Sequence, residues 1–200
     1  RIDTILCDTK LDLFDVLTMQ VGDIIPLNMP IDSNVTVKIG DNMRGIGNNA
    51  FQNCTSIQSV TLGAGLDTIG NYAFANCINM KSVSLPSNTN VRIIGDHAFS
   101  NCQNLESFVN PVSVEKIGDY CFENCYNMKT VELAGAGSIP NLKSLGNHLF
   151  VNCRKMEYLE IPYNVSEVLD ISLVEGCSGL KYISVKNGNT TFTEGLPSVN

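Results

Sequence analysis

Ile69-Gly70-Asn71-Tyr72-Ala73-Phe74-Ala75-Asn76-Cys77 decides the fold of this chain, because it does not occur only once. Ile46-Gly47-Asn48-Asn49-Ala50-Phe51-Gln52-Asn53-Cys54 precedes it and Ile94-Gly95-Asp96-His97-Ala98-Phe99-Ser100-Asn101-Cys102 follows. Further copies run from Ile117 to Cys125 and from Leu145 to Cys153. A worn sixth spans Leu169 to Cys177, with Val174 in place of Phe and Gly176 in place of Asn. Cysteines 54, 77, 102, 125, 153 and 177 are 23, 25, 23, 28 and 24 residues apart. Such a period marks stacked supersecondary units rather than one globular core.

Outward from each copy, the pattern continues as apolar, two variable residues, then apolar–variable–apolar. The instances are Ile57/Val60/Leu62, Met80/Val83/Leu85, Met128/Val131/Leu133, Met156/Leu159/Ile161 and Leu180/Ile183/Val185. The third repeat reads Leu105/Phe108 and then departs, with Val109 and Asn110 in the variable and apolar places. Alternation of this kind predicts a strand. Gly-Asn/Asp followed by Ala-Phe predicts a short helical turn, N-capped by Asn48, Asn71, Asp96, Asp119, Asn147 and Asp170. Leu66/Ile69, Val91/Ile94, Val114/Ile117 and Leu142/Leu145 supply a second short extended piece per unit. A single unit cannot bury its Phe, Cys and aliphatic residues; stacked units bury them in rows.

These units resemble BspA-like (Treponema-type) leucine-rich repeats over about Ile46 to Thr191. The resemblance implies an α/β repeat fold, a right-handed solenoid of short strands and short helical turns with a β-rich N-terminal cap. It divides the chain into an N-terminal segment (1–45), about six repeats (46–192) and a C-terminal tail (193–200). It also implies a cell-surface or secreted protein that binds protein or glycan and adheres to host or other cells. An N-terminal Arg1 and the abrupt end at Asn200 read as a piece trimmed from a longer protein.

Before Ile46 the period vanishes. Leu11, Leu13, Phe14, Val16 and Leu17 have helical spacing, and Asp23–Leu27 and Val35–Ile39 read as strands. From Leu11-Asp12-Leu13-Phe14 through Gly22-Asp23-Ile24-Ile25-Pro26-Leu27, Ile31-Asp32 and Val35-Thr36-Val37-Lys38-Ile39-Gly40 to Arg44-Gly45, the segment (residues 2–45) resembles part of the flagellar motor switch (FliM/FliN, SpoA-type) module. Only the front of that module fits, and its last strand is replaced by the first repeat. The resemblance implies a structural component of a flagellar or type III secretion switch, at the cytoplasmic face of the membrane. The other reading is a cap over the open end of the array, which a solenoid needs in either case.

Composition narrows the function. A net charge of −7 without any Lys/Arg run argues against nucleic acid as a partner. No apolar stretch reaches the ~18 residues of a membrane-spanning helix, so direct membrane insertion is not expected. Among the eight cysteines, six hold one repeat position about 24 residues apart and the one close pair, Cys121 and Cys125, comes from different rows of the repeat and lacks a second pair, so a buried row of free thiols is expected rather than zinc or disulfides, with Cys7 outside the row. His97 and His148 share one repeat position, two coils apart, with no carboxylate at fixed offset in the sequence. The Asn before each Cys is expected to satisfy neighbouring backbone groups. Asn164-Val165-Ser166 and Asn189-Thr190-Thr191 are glycan sequons. No catalytic constellation, metal site or cofactor is expected, and the chain does not read as an enzyme. Partner binding falls instead on the outward strand rows, through Ser59, Ser82, Ser107, Thr130, Tyr158 and Tyr182 with Glu132 and Glu160.

Overall fold

A computed structural model describes residues 4–6, 24–26, 35–133, 141–166, 170–187 and 190–195. The expected helix over Leu11–Leu17 lies outside these residues. Two short strands, β1 (Thr4–Leu6) and β2 (Ile24–Pro26), pair in parallel with each other. From β3 (Val35–Lys38) onward the chain winds into coils, each adding a strand to one or both of two walls.

The first wall contains β3, β5 (Ile57–Thr61), β7 (Ser82–Ser84), β9 (Ser107–Val109), β11 (Thr130–Glu132), β13 (Tyr158–Pro162) and β14 (Tyr182–Asn187). Its pairing is parallel, with Val37, Val60 and Val83 in one register and Phe108, Val131, Leu159 and Ile183 in another. Because β3 pairs with β5, the wall begins upstream of Ile46. Antiparallel β15 (Thr190–Gly195) covers the last edge, three residues into the stretch read as a tail. The second wall is β4 (Gly45–Ile46), β6 (Thr68–Ile69), β8 (Ile93–Ile94), β10 (Lys116–Ile117) and β12 (Ser144–Leu145), all parallel.

The corners differ from expectation: they are turns rather than helices. Asn49, Tyr72, His97, Tyr120 and His148 have φ of 53–59°, and Asn53, Asn76, Asn101, Asn124 and Asn152 have φ of 58–66°. A left-handed residue at every fourth position stops helix propagation and turns alternate N–H groups outward, toward the next coil. Thus the Asn49, Phe51 and Asn53 amides donate to the carbonyls of Asn71, Ala73 and Ala75, while Ala50, Gln52 and Cys54 bond back to their own coil. The expected N-caps change role accordingly. Asn48, Asn71, Asp96 and Asp119 each accept, through the side chain, from the backbone N–H of the equivalent residue in the following coil. Asp170 alone among the six caps a 3-10 turn, Ile171–Val174, accepting from the Ser172 amide.

Phe51, Phe74, Phe99, Phe122 and Phe150 form one buried file, with ring centroids 5.0–5.6 Å apart and planes within 11°. Full burial of a Phe contributes about 1.5–3 kcal/mol and aromatic pairing about 0.5–1.5 more. Beside this file the thiols of Cys77, Cys102, Cys125, Cys153 and Cys177 each donate to the phenylalanine carbonyl of the preceding coil, at 3.0–3.3 Å. Burial pushes the Cys77 thiol up to about 12 and drives Cys102, Cys121, Cys125 and Cys153 in the same direction. The free-thiol row needs one correction: Cys54 is disulfide-bonded, to none of the six free cysteines at 77, 102, 121, 125, 153 and 177. Cys7 lies outside the described residues.

Candidate functional site

The pleat of the first wall sets which side chains can meet a partner. In β9 and β11 the central Phe108 and Val131 are buried and both neighbours exposed, because successive residues point to opposite faces. Parallel register then carries Ser107, Thr130, Tyr158 and Tyr182 into one outward row, and Val109, Glu132, Glu160 and Ser184 into the next. Ser59 and Ser82 form a separate short row with Thr36, whose hydroxyl meets that of Ser59 at 3.0 Å. The eight expected residues therefore lie in two backbone ladders of the same wall, which meet between β7 and β9.

Their chemistry is uneven. Tyr182 is 51% exposed, while Tyr158 is half-buried. The Tyr158 hydroxyl lies 2.6 Å from Ser184 Oγ and donates to Glu160 Oε2 at 3.3 Å. Ser184 is buried despite its outward register. Tyr158 and Glu160 are thus held in place by each other, which lowers the entropy cost of presenting them. Glu132 and Thr130 are exposed beside them.

A second ordered surface was not anticipated from the sequence. At the left-handed corner positions, Tyr72, His97, Tyr120 and His148 stack ring on ring at 4.6, 5.0 and 4.9 Å. The coil spacing also brings carboxylates to both imidazoles, contrary to the reading that none was fixed near them. His97 Nδ1 stands 3.6 Å from Glu123 Oε2 and His148 Nδ1 stands 3.7 Å from Glu175 Oε2. The shared repeat position was visible in the sequence; the ring geometry was not. No group of three or more His, Cys, Asp or Glu placed to hold a metal occurs among the described residues. Asn164, in the first sequon, donates its amide to the Leu142 carbonyl, whereas Asn189 lies outside the described residues.

The model of the BspA type leucine-rich repeat region matches in six copies, over residues 31–135 and 76–196. The chain belongs to this family. A weaker match, to the C-terminal region of the type III flagellar switch regulator FliN, covers residues 1–48. No curated protein matches the chain. Among solved structures, this BspA-type array is similar to a T. pallidum leucine-rich-repeat protein, at 24% identity and TM-score 0.64, covering 75% of this chain and 69% of that one. The pneumococcal vaccine antigen PcpA aligns at 19% identity and TM-score 0.64, over 78% of this chain and 42% of its own. A Bacteroides ovatus leucine-rich-repeat protein aligns at 21% and 0.58, over 76% and 36%. These likenesses show the fold. The BspA-type chain spans well under half the length of the last two. No helix among the described residues is long and apolar enough to cross a membrane.

Proposed function

We propose that this chain is a non-enzymatic recognition module that binds a protein or glycan through the outward face of its first wall. The observation that carries the reading is the row Ser107–Thr130–Tyr158–Tyr182, flanked by Glu132 and Glu160 on strands whose register is set by buried neighbours. Tyrosine offers a large contact area with few rotatable bonds, and the hydroxyl and carboxylate groups around it supply directional contacts. The setting is a surface or secreted protein that adheres to host or other cells, as family membership suggests and as the likeness to a pneumococcal vaccine antigen supports.

The test compares the labelled chain with a Tyr158→Ser/Tyr182→Ser double variant on a glycan array and on intact epithelial cells. Saturable binding that the double variant loses is the expected result. Equal binding by both proteins discards the face, and no saturable binding to either target discards the reading. A second reading, an accessory array on a flagellar or secretion switch component, draws on the residue 1–48 match. It predicts co-purification with rotor proteins from a flagellated cell and no binding outside it.

A further inference from the structure

The thiols of the cysteine row share one geometry but not one environment. Cys77, Cys102, Cys125 and Cys153 are closed off, whereas Cys177 is half-buried. Coils bearing Cys77, Cys102 and Cys125 have stacked phenylalanines on both sides. After Cys153 the file stops, because Val174 stands where the next ring would be. Gly176, beside Cys177, is exposed and has no side chain to anchor it.

The fifth and sixth coils are nevertheless in close register at this point. The Phe150 and Asn152 amides donate to the Leu173 and Glu175 carbonyls at 2.9 and 2.8 Å, and the Cys177 thiol donates to the Phe150 carbonyl at 3.0 Å. A Cβ on Gly176 would stand 3.4 Å from the Asn152 Cα. The next residues, Cys153 and Cys177, therefore face each other across one coil spacing, about 4.8 Å. Disulfides span Cα separations of about 4.4–6.8 Å and bring Cβ atoms to roughly 3.5–4.5 Å. The two coils need only close by about a few tenths of an ångström. Stacked rings oppose that movement at the inner rungs; a small Val174 and an exposed Gly176 do not. A hydrogen bond from Cys153 holds the Cys177 thiol below its ordinary value against partial burial, while burial pushes Cys153 up. Cys177 is thus the thiol that ionises and attacks, and Cys153 the one that follows.

We propose that Cys153 and Cys177 are a redox-active pair, which a low-molecular-weight disulfide converts into a crosslink between the fifth and sixth coils. The Cys177 thiolate attacks one sulfur of the small disulfide, whose S–S bond breaks; the departing thiolate takes up the Cys177 proton. Cys153 Sγ then attacks the Cys177 sulfur of the mixed disulfide, and the second small thiol leaves with the Cys153 proton. Two cysteines are oxidised and one small disulfide is reduced to two thiols. The crosslink pins the sixth coil, where the phenylalanine file no longer does. It joins the coils that carry β13 and β14, and it forms whether or not the face bearing Tyr158 and Tyr182 binds a partner.

Oxidised glutathione is the probe, added to the full chain with its Cys54 disulfide intact. Intact mass and peptide mapping should find a Cys153–Cys177 crosslink, with Cys77, Cys102, Cys121 and Cys125 still free. Hydrogen exchange in Ile171–Leu180 should slow at least about tenfold on crosslinking. Cys153→Ser should keep glutathione on Cys177, because no second thiol displaces it, and Cys177→Ser should take up none. A lasting glutathione adduct on the parent, a crosslink to Cys125 or Cys54, no reaction at Cys177, or exchange unchanged by the crosslink overturns the proposal.

Discussion

Asn101 shows how one residue type can serve two needs. Its φ of 59° is costly for most side chains, and its Oδ1 accepts from Asn124 Nδ2 at 2.9 Å, one step of a row that continues to Asn152. Gly176 keeps the left-handed backbone in the sixth coil, at φ 72°, without the amide. Asn101→Ala is expected to cost about 2–3 kcal/mol, from backbone strain plus the lost bond, and Asn101→Gly only about 1 kcal/mol. Urea midpoints of the two variants separate the terms; equal losses discard the strain argument. Thiol reactivity is a second test at this scale. The thiolate is the nucleophile, and burial raises the Cys77, Cys102, Cys125 and Cys153 values, so little thiolate exists at pH 8. Iodoacetamide followed by peptide mass spectrometry should therefore find half-buried Cys177 modified first, and the other four only after unfolding.

Elements are held at a fixed spacing by glycine and by charge. An alanine Cβ at Gly118 would stand 2.5 Å from the Asp96 backbone nitrogen and 2.7 Å from the Gly95 carbonyl carbon, so neighbouring coils close to a distance only glycine allows. Gly118→Ala should cost about 3 kcal/mol, while Gly40→Ala, with nothing within 4 Å, should be near neutral in thermal melts. Backbone bonds from each coil to the next align two surface columns of alternating sign: Arg44–Asp67–Arg92–Glu115–Lys143, with Asp67 and Glu115 half-buried, and the exposed Lys81–Glu106–Lys129–Glu157–Lys181. Ion pairs Lys143–Glu115 at 2.6 Å and Lys181–Glu157 at 3.0 Å form within them. The Lys143 ammonium, by hydrogen bond and charge, lowers the Glu115 carboxyl from 4.5. That small contribution is complete above 4.5 and fades as pH falls through the lowered native value. Glu106→Lys puts like charges side by side along one column. Its melting temperature should fall at low salt and recover in about 1 M NaCl, where the Debye length is ~3 Å; a salt-independent loss refutes the charge account.

Across the molecule, stability is a sum of neighbouring contacts, so it should not be uniform. Coils carrying Phe99 and Phe122 have stacked rings on both sides, whereas the sixth coil has Val174 in that file and a half-buried Cys177. Hydrogen exchange should be slowest in Phe99–Cys125 and faster in Ile171–Leu180; a flat profile contradicts additive stacking. Much of this was legible from residue order. The Phe file, the strand rows and the second-wall pairs Leu66/Ile69 and Leu142/Leu145 followed from period and alternation. The corner conformation was not legible, because Gly-Asn-x-Ala-Phe suits a helical turn equally well in isolation. Only the neighbouring coil, which takes up alternate amides, tips it to left-handed turns.

The amino-acid order by itself determined that the chain coils and which residues share a row, since a unit that cannot bury its own Phe and aliphatic residues must place equivalents against equivalents. Tertiary structure alone decided where the rows part. The Tyr–His stack, the break in the backbone ladder between β7 and β9, and the cleft beside it depend on distances between coils. Periodicity records membership of a row; whether two coils close fully depends on how the loops that follow their strands pack together.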